Sequence, residues 1–451
     1  MKKNLPLLIL PFAAIIVLIS IFLFSGALCP DENGYLLKYQ AQRFKIGSGN
    51  ASFYDDSIKY EKGMEYNHQK TFTSENADNL KFYKSYSGGY VLGALTRGMS
   101  ERNAWRLMAF LSVLLSSVMG FFILKQTTSK IKAAILLSLF LVYPSILEAY
   151  FKMNQCIISM CLVSLLIFVY YMKTDYFLKW YLLSIVVAFL YVDNHFYVIC
   201  FYIIPVIAYF ETKKETTSAK AVSRAMWLLI FGIFMNVFCA HFYSDGENIF
   251  KSISFTGFLD ALKSPFTVMV IINLIGAFKC PEYTKKYIYP SFVFYIIFIV
   301  SALFSQSSRA CETSVLPAIF IGFATCIIHQ RFFRKYFRIM VILIIAATVF
   351  CGIISVKNAV DFSLAAKNIV AEEISIEDET DKIIPTEEIV YMDKSSIKEI
   401  YLLLPRNVAV VKNIPEDANF IISDKDKIDK YEIAGKYEIG GIIKNIFIKT
   451  K

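Results

Sequence analysis

Apolar runs too long and too frequent for a water-soluble core fill the chain as far as residue 356. The first extends from Leu5 to Leu28, and others follow at about 105–124, 132–150, 155–172, 178–192, 196–210, 225–243, 266–279, 287–304, 313–328 and 338–356. Inside a bilayer each backbone N–H and C=O must be satisfied within its own segment, so runs of this kind become helices. The pattern predicts a polytopic α-helical membrane protein with about eleven transmembrane helices, several near the lower length limit of about 17 residues. Composition agrees: 56% of the 451 residues are hydrophobic and only 19% are charged, too apolar for a soluble protein of this size.

The net charge of +10 would point to nucleic acid in a soluble chain. Here the basic residues collect in alternate short loops, at Lys125, Lys130 and Lys132, at Lys173 and Lys179, at Lys213, Lys214, Lys220 and Arg224, at Lys279, Lys285 and Lys286, and at Arg331, Arg334, Lys335 and Arg338. The excess of Lys and Arg on cytoplasmic loops makes this a topology signal, with Lys2 and Lys3 and the N-terminus inside, and no nucleic-acid partner. The opposite loops carry Asp31, Glu32, Glu148, Asp193, Asp245, Glu247 and Glu312. An odd number of spans then puts the segment after the last run outside, as a multi-pass protein of the cell membrane. Nine cysteines are scattered without a C-x-x-C pair, so no metal or redox motif arises from them.

Between the first two runs, residues 28–104 form a first external loop, polar and rich in Tyr, Asn, Asp and Lys from Lys45 to Ser87. At its start C-P-D-E-N-G-Y-L-L-K-Y-Q-A-Q-R-F places Asp31 and Glu32 ahead of Tyr35, Leu36, Tyr39 and Phe44 at helical spacing. That stretch predicts an amphipathic interfacial helix, with its acids either as ordinary caps or as chemistry. A second interfacial segment is expected at Ser87 to Met99, ahead of Arg102 and Arg106. Residues 357–451 change character: charged, with β-rich runs E-I-V-Y-M, N-V-A-V-V, N-F-I-I-S and I-I-K-N-I-F-I-K separated by turn signals, and one helix expected near Ser395 to Leu404. They read as a small external α/β domain beside a transmembrane domain of residues 1–356. With no Gly-rich phosphate loop or nucleophile motif, its expected role is packing or substrate gating.

Charge buried in a span is expensive, and here the spans are nearly free of it. Ionisable groups gather instead where the runs meet the outer face: Asp31 and Glu32, Glu148 and Lys152, Asp193 with Asn194 and His195, and Arg309. A lipid-borne sugar phosphate suits such a boundary. A cation, Arg309 or else Lys81, Lys84 or Arg97 of the first loop, neutralises the phosphate, and an adjacent carboxylate takes the proton of an attacking hydroxyl.

The chain resembles the GT-C superfamily of integral membrane glycosyltransferases, in the branch of bacterial aminoarabinose transferases and protein O-mannosyltransferases. D-E-N-G-Y-L-L-K-Y-Q-A-Q is similar to that family's acidic first-loop motif, S-G-G-Y-V-L-G-A-L-T-R-G-M-S-E-R-N-A-W-R-L to its second interfacial segment, R-A-C-E-T-S-V-L-P-A-I-F-I-G-F to its late arginine-containing loop and Pro-bearing span, and A-N-F-I-I-S-D-K-D-K-I-D-K-Y to a strand–helix signature of the external domain. The resemblance implies inverting transfer of a sugar from a polyprenyl-phosphate donor to a glycan, lipid or protein acceptor on the outer face of a bacterial membrane. It implies Asp31 as catalytic base with Glu32 beside it, and no metal or other cofactor; the candidate substrate-binding residues, Arg309, Glu148, Lys152 and His195, with Lys84 and Arg97 as alternatives to Arg309, come from their place at the outer face. Where the family often carries a second acid near the start of span four, this chain has Met153, Asn154 and Gln155, with Glu148 earlier. A polysaccharide polymerase, a lipid-linked glycan flippase and a non-catalytic envelope scaffold share the polytopic pattern. The flippase calls for a charged cavity within the spans, which this sequence lacks, and polymerases usually lack an external C-terminal α/β domain.

Overall fold

The computed structural model describes the chain except residues 1–8, 25–26, 47–64, 67–69, 72–86, 173–177, 215, 241–254, 305–307, 331–334, 387, 394–395, 405, 411–413, 415, 417 and 451. It forms two compact units, one of Met1–Ser25, Arg102–His241 and Asn248–Asp361, the other of Gly26–Glu101, Phe242–Glu247 and Phe362–Lys451.

Each apolar run named above contains at least one helix among its described residues. In chain order α1 is Ile9–Phe24 and, in the second unit, α2 is Glu32–Ile46 and α3 Ser87–Leu95. There follow α4 (Glu101–Thr127), α5 (Lys130–Leu141), α6 (Pro144–Phe151), α7 (Cys156–Tyr171), α8 (Leu178–Asp193), α9 (Val198–Lys213), α10 (Ser218–Ala240), α11 (Phe255–Lys263), α12 (Pro265–Lys279), α13 (Glu282–Lys285), α14 (Tyr289–Phe304), α15 (Ser308–His329) and α16 (Phe337–Ile383). Among the described residues five helical segments are long and apolar enough to cross a membrane, or seven if each of two bent pairs is one span. The difference from eleven lies in α1, α7, α8 and α9, each of 16 residues. At about 1.5 Å per residue they reach roughly 24 Å, short of a hydrocarbon core of about 30 Å.

Both bends have a local cause. α5 meets α6 at 46° where Tyr143 is extended and Pro144 begins the next helix, and α11 meets α12 at 63° where Ser264 precedes Pro265. Proline lacks the N–H that would continue the earlier helix, yet suits the first turn of a new one. The Ser264 hydroxyl accepts from the Phe266 N–H at 3.2 Å. Helix α15 is the centre of this unit: 89% of its apolar window is buried, against 17% for the spans of α10 and α16. It packs on α6, α7, α12 and α14. α10 and α16 instead expose Trp227, Phe234, Ile342 and Phe350, as helices facing lipid do.

In the second unit α2 packs on α3, and a two-stranded antiparallel ribbon pairs β1 (Glu65–Tyr66) with β2 (Lys70–Thr71). The C-terminal segment is a five-stranded mixed sheet in the order β4-β3-β5-β7-β6. Strands β3 (Ile389–Met392), β4 (Asn407–Val410) and β5 (Phe420–Ser423) run parallel, joined between β3 and β4 by α17 (Ile397–Leu402). β7 (Ile442–Lys449) pairs antiparallel with β5 and with β6 (Tyr431–Ile439). Ser396 and Glu399 close a capping box on α17, as the segment's serine pair and glutamate allow. The β6–β7 hairpin turns on Gly440 and Gly441, both at positive φ, as a two-residue hairpin turn demands.

The sequence reading differs from this in three places. The boundary expected at 356/357 falls inside α16, which runs unbroken to Ile383. Its buried positions Ala359, Ala366, Ile376 and Thr380 keep one helical stripe covered through an otherwise charged stretch. The first external loop and the C-terminal segment, read as separate regions, belong to one unit. The strand–helix signature at A-N-F-I-I-S-D-K-D-K-I-D-K-Y has its strand, β5, but turns follow it and the next element is strand β6.

Candidate functional site

In the second unit Asp31 stands immediately before α2. The Gly34 N–H donates to its Oδ1 at 3.0 Å, and the Tyr35 N–H donates to its backbone carbonyl at 2.9 Å. Asp31 is therefore the N-cap, and the amide dipoles of the first turn favour its charged form. It is half-buried, whereas Glu32 is exposed. Arg97, just past α3, is exposed as well, and Lys81 and Lys84 lie outside the described residues.

One turn along α2 a set of side chains joins it to α16 and α17. The Tyr35 hydroxyl donates to Glu373 Oε1. Burial, and then the Glu373 carboxylate, push the Tyr35 phenol above its ordinary range, so it stays a donor. Lys38, 8% exposed, lies 3.6 Å from Glu101 Oε1 and 4.4 Å from the Tyr401 ring centre. Tyr401 donates to Glu101 Oε2 at 3.1 Å, and burial, followed by Glu101, raises its phenol too. Lys398 pairs with Glu372 at 2.8 Å and lies 5.7 Å from the Tyr35 ring centre.

In the first unit the bend between α5 and α6 and the turn between α8 and α9 meet the start of α15. Tyr143 donates to Glu312 Oε1 at 2.8 Å, Thr313 to the Ser145 carbonyl at 2.9 Å, and Tyr197 to Ser314 Oγ at 3.1 Å. Glu148 and Lys152 come together as an ion pair at 2.7 Å across the end of α6. Asp193, buried at the end of α8, accepts from Gln155 Nε2 at 3.0 Å and from the Ser159 hydroxyl at 2.9 Å. His195 begins a 3₁₀ turn, His195–Tyr197, and Arg309 sits in the first turn of α15; both side chains lie outside what the structure describes. Among the described residues no group of three His, Cys, Asp or Glu side chains could hold a metal ion.

No protein-family model matches the chain, and no curated protein sequence matches it. Solved structures do. The chain is similar to ArnT from Cupriavidus metallidurans in the apo state, with a TM-score of 0.58 at 12% identity over 99% of this chain and 98% of that one. It is also similar to ArnT from the same organism bound to undecaprenyl phosphate, with a TM-score of 0.55 at 10% identity over 97% of each chain. The fold is that of ArnT. This chain is a multi-pass membrane protein that shares that fold over 99% of its length. Identity this low carries the ArnT fold and no residue roles. Within the fold, the residues that sequence reading passed over are Tyr35, Lys38, Glu101, Glu373 and Tyr401. A lysine amid the apolar stripe of α2, with Tyr35 one turn before it, was the available signal, while Glu101 and Tyr401 lie 63 and 363 positions away.

Proposed function

We propose that this chain is a membrane glycosyltransferase that moves a sugar from a polyprenyl-phosphate donor to a cell-envelope glycan, lipid or protein. The observation that carries this reading is the match over 97% of both chains to an ArnT structure bound to undecaprenyl phosphate. Asp31 is the base in this scheme. It takes the proton of an acceptor hydroxyl as that oxygen bonds to the anomeric carbon, the bond to the phosphate oxygen breaks with its electron pair, and the configuration inverts. Partial burial and a helix N-terminus hold the Asp31 carboxylate in place, which favours it over exposed Glu32 for this task. Arg309 neutralises the departing phosphate, with Lys84 and Arg97 as the alternative cations, and Glu148, Lys152 and His195 line the substrates. As the resemblance implies, the scheme uses no divalent metal, and transfer takes place on the outer face of the membrane.

The test is native mass spectrometry of the purified protein with an envelope lipid extract containing undecaprenyl-phosphate sugars, followed by release of undecaprenyl phosphate over time. The reading expects a bound polyprenyl-phosphate species, weakened by Arg309→Ala, and turnover that Asp31→Asn abolishes. Absence of bound lipid and of turnover would reject it in favour of the scaffold. Lipid that binds and crosses the bilayer without sugar transfer would identify a flippase, and growth of a glycan chain a polymerase.

A further inference from the structure

The side chains around Lys38 are costly to assemble unless the assembly does something. An ammonium group taken out of water loses hydration that one ion pair seldom restores. Lys38 is nonetheless buried, between the rings of Tyr35 and Tyr401 at 5.4 and 4.4 Å from their centres, with Glu101 at 3.6 Å. The two rings are 6.0 Å apart, so the cation lies against both of their faces at once. The polar tips are tied further: Tyr401 to Glu101, Tyr35 to Glu373, and Lys398 to Glu372, whose Oε1 also accepts from the Gly440 N–H at 2.9 Å. Three separate stretches of chain, at Glu101, Glu373 and Lys398 to Tyr401, thus grip one short segment of α2. That segment starts one turn beyond Asp31, to which Tyr35 is hydrogen-bonded through the backbone.

A helix gripped at Tyr35 and Lys38 can neither rotate about its axis nor slide along it, and the carboxylate at its N-terminus is fixed with it. We infer that Tyr35 and Lys38 are positioning residues for Asp31, locking α2 to Glu101, Glu373 and Tyr401 so that the carboxylate meets the acceptor hydroxyl. The inference rests on Asp31 being the base. Misplacement by about 1 Å costs on the order of a hundredfold in rate, so small losses of grip become visible in kcat while leaving lipid binding alone.

The experiment uses the full chain in detergent, with the same lipid extract as substrate and undecaprenyl phosphate as binding probe. Tyr35→Phe keeps the ring and removes the hydroxyl, Lys38→Met removes the charge, and Lys38→Arg restores it. Tyr35→Phe and Lys38→Met should each lower kcat by tenfold or more, with KM and undecaprenyl phosphate binding within about twofold of the parent. Lys38→Arg should recover most of the rate. Hydrogen exchange at Asn33 to Leu36 should quicken in the two impaired variants. Unchanged kcat, a change confined to KM and binding, or a lowered kcat with unaltered exchange would each overturn the inference. Should Lys38→Met fail to fold, Tyr35→Phe decides alone. Absence of turnover in the parent, or full turnover in Asp31→Asn, removes the base reading and this inference with it. Slow kcat in Asp31→Asn with normal Tyr35→Phe removes the positioning role alone.

Discussion

A carboxylate at a helix N-terminus can cap the helix, accept a proton, or do both, and substitution separates the two at Asp31. Asparagine caps as well as aspartate does but is not a base, whereas alanine is neither. Asp31→Asn should therefore keep the parent's thermal midpoint in detergent and lose transfer. Asp31→Ala should lose transfer and in addition about 1 kcal/mol of stability. A midpoint lowered equally in both would show that charge, not capping, is what the fold uses there. Between β7 and α17, Lys444 Nζ and Glu399 Oε1 form a buried pair at 3.6 Å. Removing one member of such a pair strands the other, at about 3–5 kcal/mol. Lys444→Met should show that loss in denaturant unfolding, and adding Glu399→Gln, which still caps α17, should recover part of it. Residues of the first kind are legible in sequence, because an acid before an apolar stripe is a local signal. Lys444 and Glu399 are 45 positions apart, and only the strand order brings them together.

Among the elements, what hydropathy carries was readable and what depends on partners was not. Every apolar run holds helix in its described residues because lipid leaves the backbone no other partner. β6 escaped notice because most of its side chains are exposed, so it shows little of the alternation that marks a half-buried strand. The end of α16 escaped because its acidic stretch reads as the start of a new domain, although a buried stripe continues through it. Close packing adds a test at two glycines. A Cβ on Gly322 of α15 would stand 2.8 Å from Asn273 Nδ2 of α12 and 3.2 Å from Ser291 Cβ of α14, and one on Gly89 of α3 would stand 2.9 Å from Gln40 Cβ of α2. Gly322→Val forces the central helix off two neighbours and should cost at least 1–3 kcal/mol, the usual range for overpacking, read as a lowered thermal midpoint with reduced yield. Gly89→Val should separate α3 from α2 with a smaller loss, since α2 is also held by α17.

Parity limits how many times the chain crosses the membrane where length alone does not. Residues 26–101 and 362–451 belong to one compact unit, so both must lie on the same face, and the chain between them must cross an even number of times. By length and apolarity that interval holds seven crossings when each bent pair is one span, which is odd and would divide the unit across the bilayer. Adding the three 16-residue helices α7, α8 and α9 makes ten and restores the match. With α1 before them the total is the eleven that the apolar runs indicate. Treating both bent pairs as re-entrant removes two crossings and leaves the parity as it was. The short helices are then expected to span, with local thinning of the bilayer or polar flanks covering the missing few ångströms. Reporter fusions check this directly. Alkaline phosphatase should be active and green fluorescent protein dark when fused after Lys449 or at residue 100, and the reverse should hold at Lys214 and Lys286. A fluorescent C-terminal fusion beside an active phosphatase at residue 100 would place the two segments on opposite faces. That would exclude crossings by all three short helices together with both bent pairs, and would require the unit that carries Asp31 to form by other means.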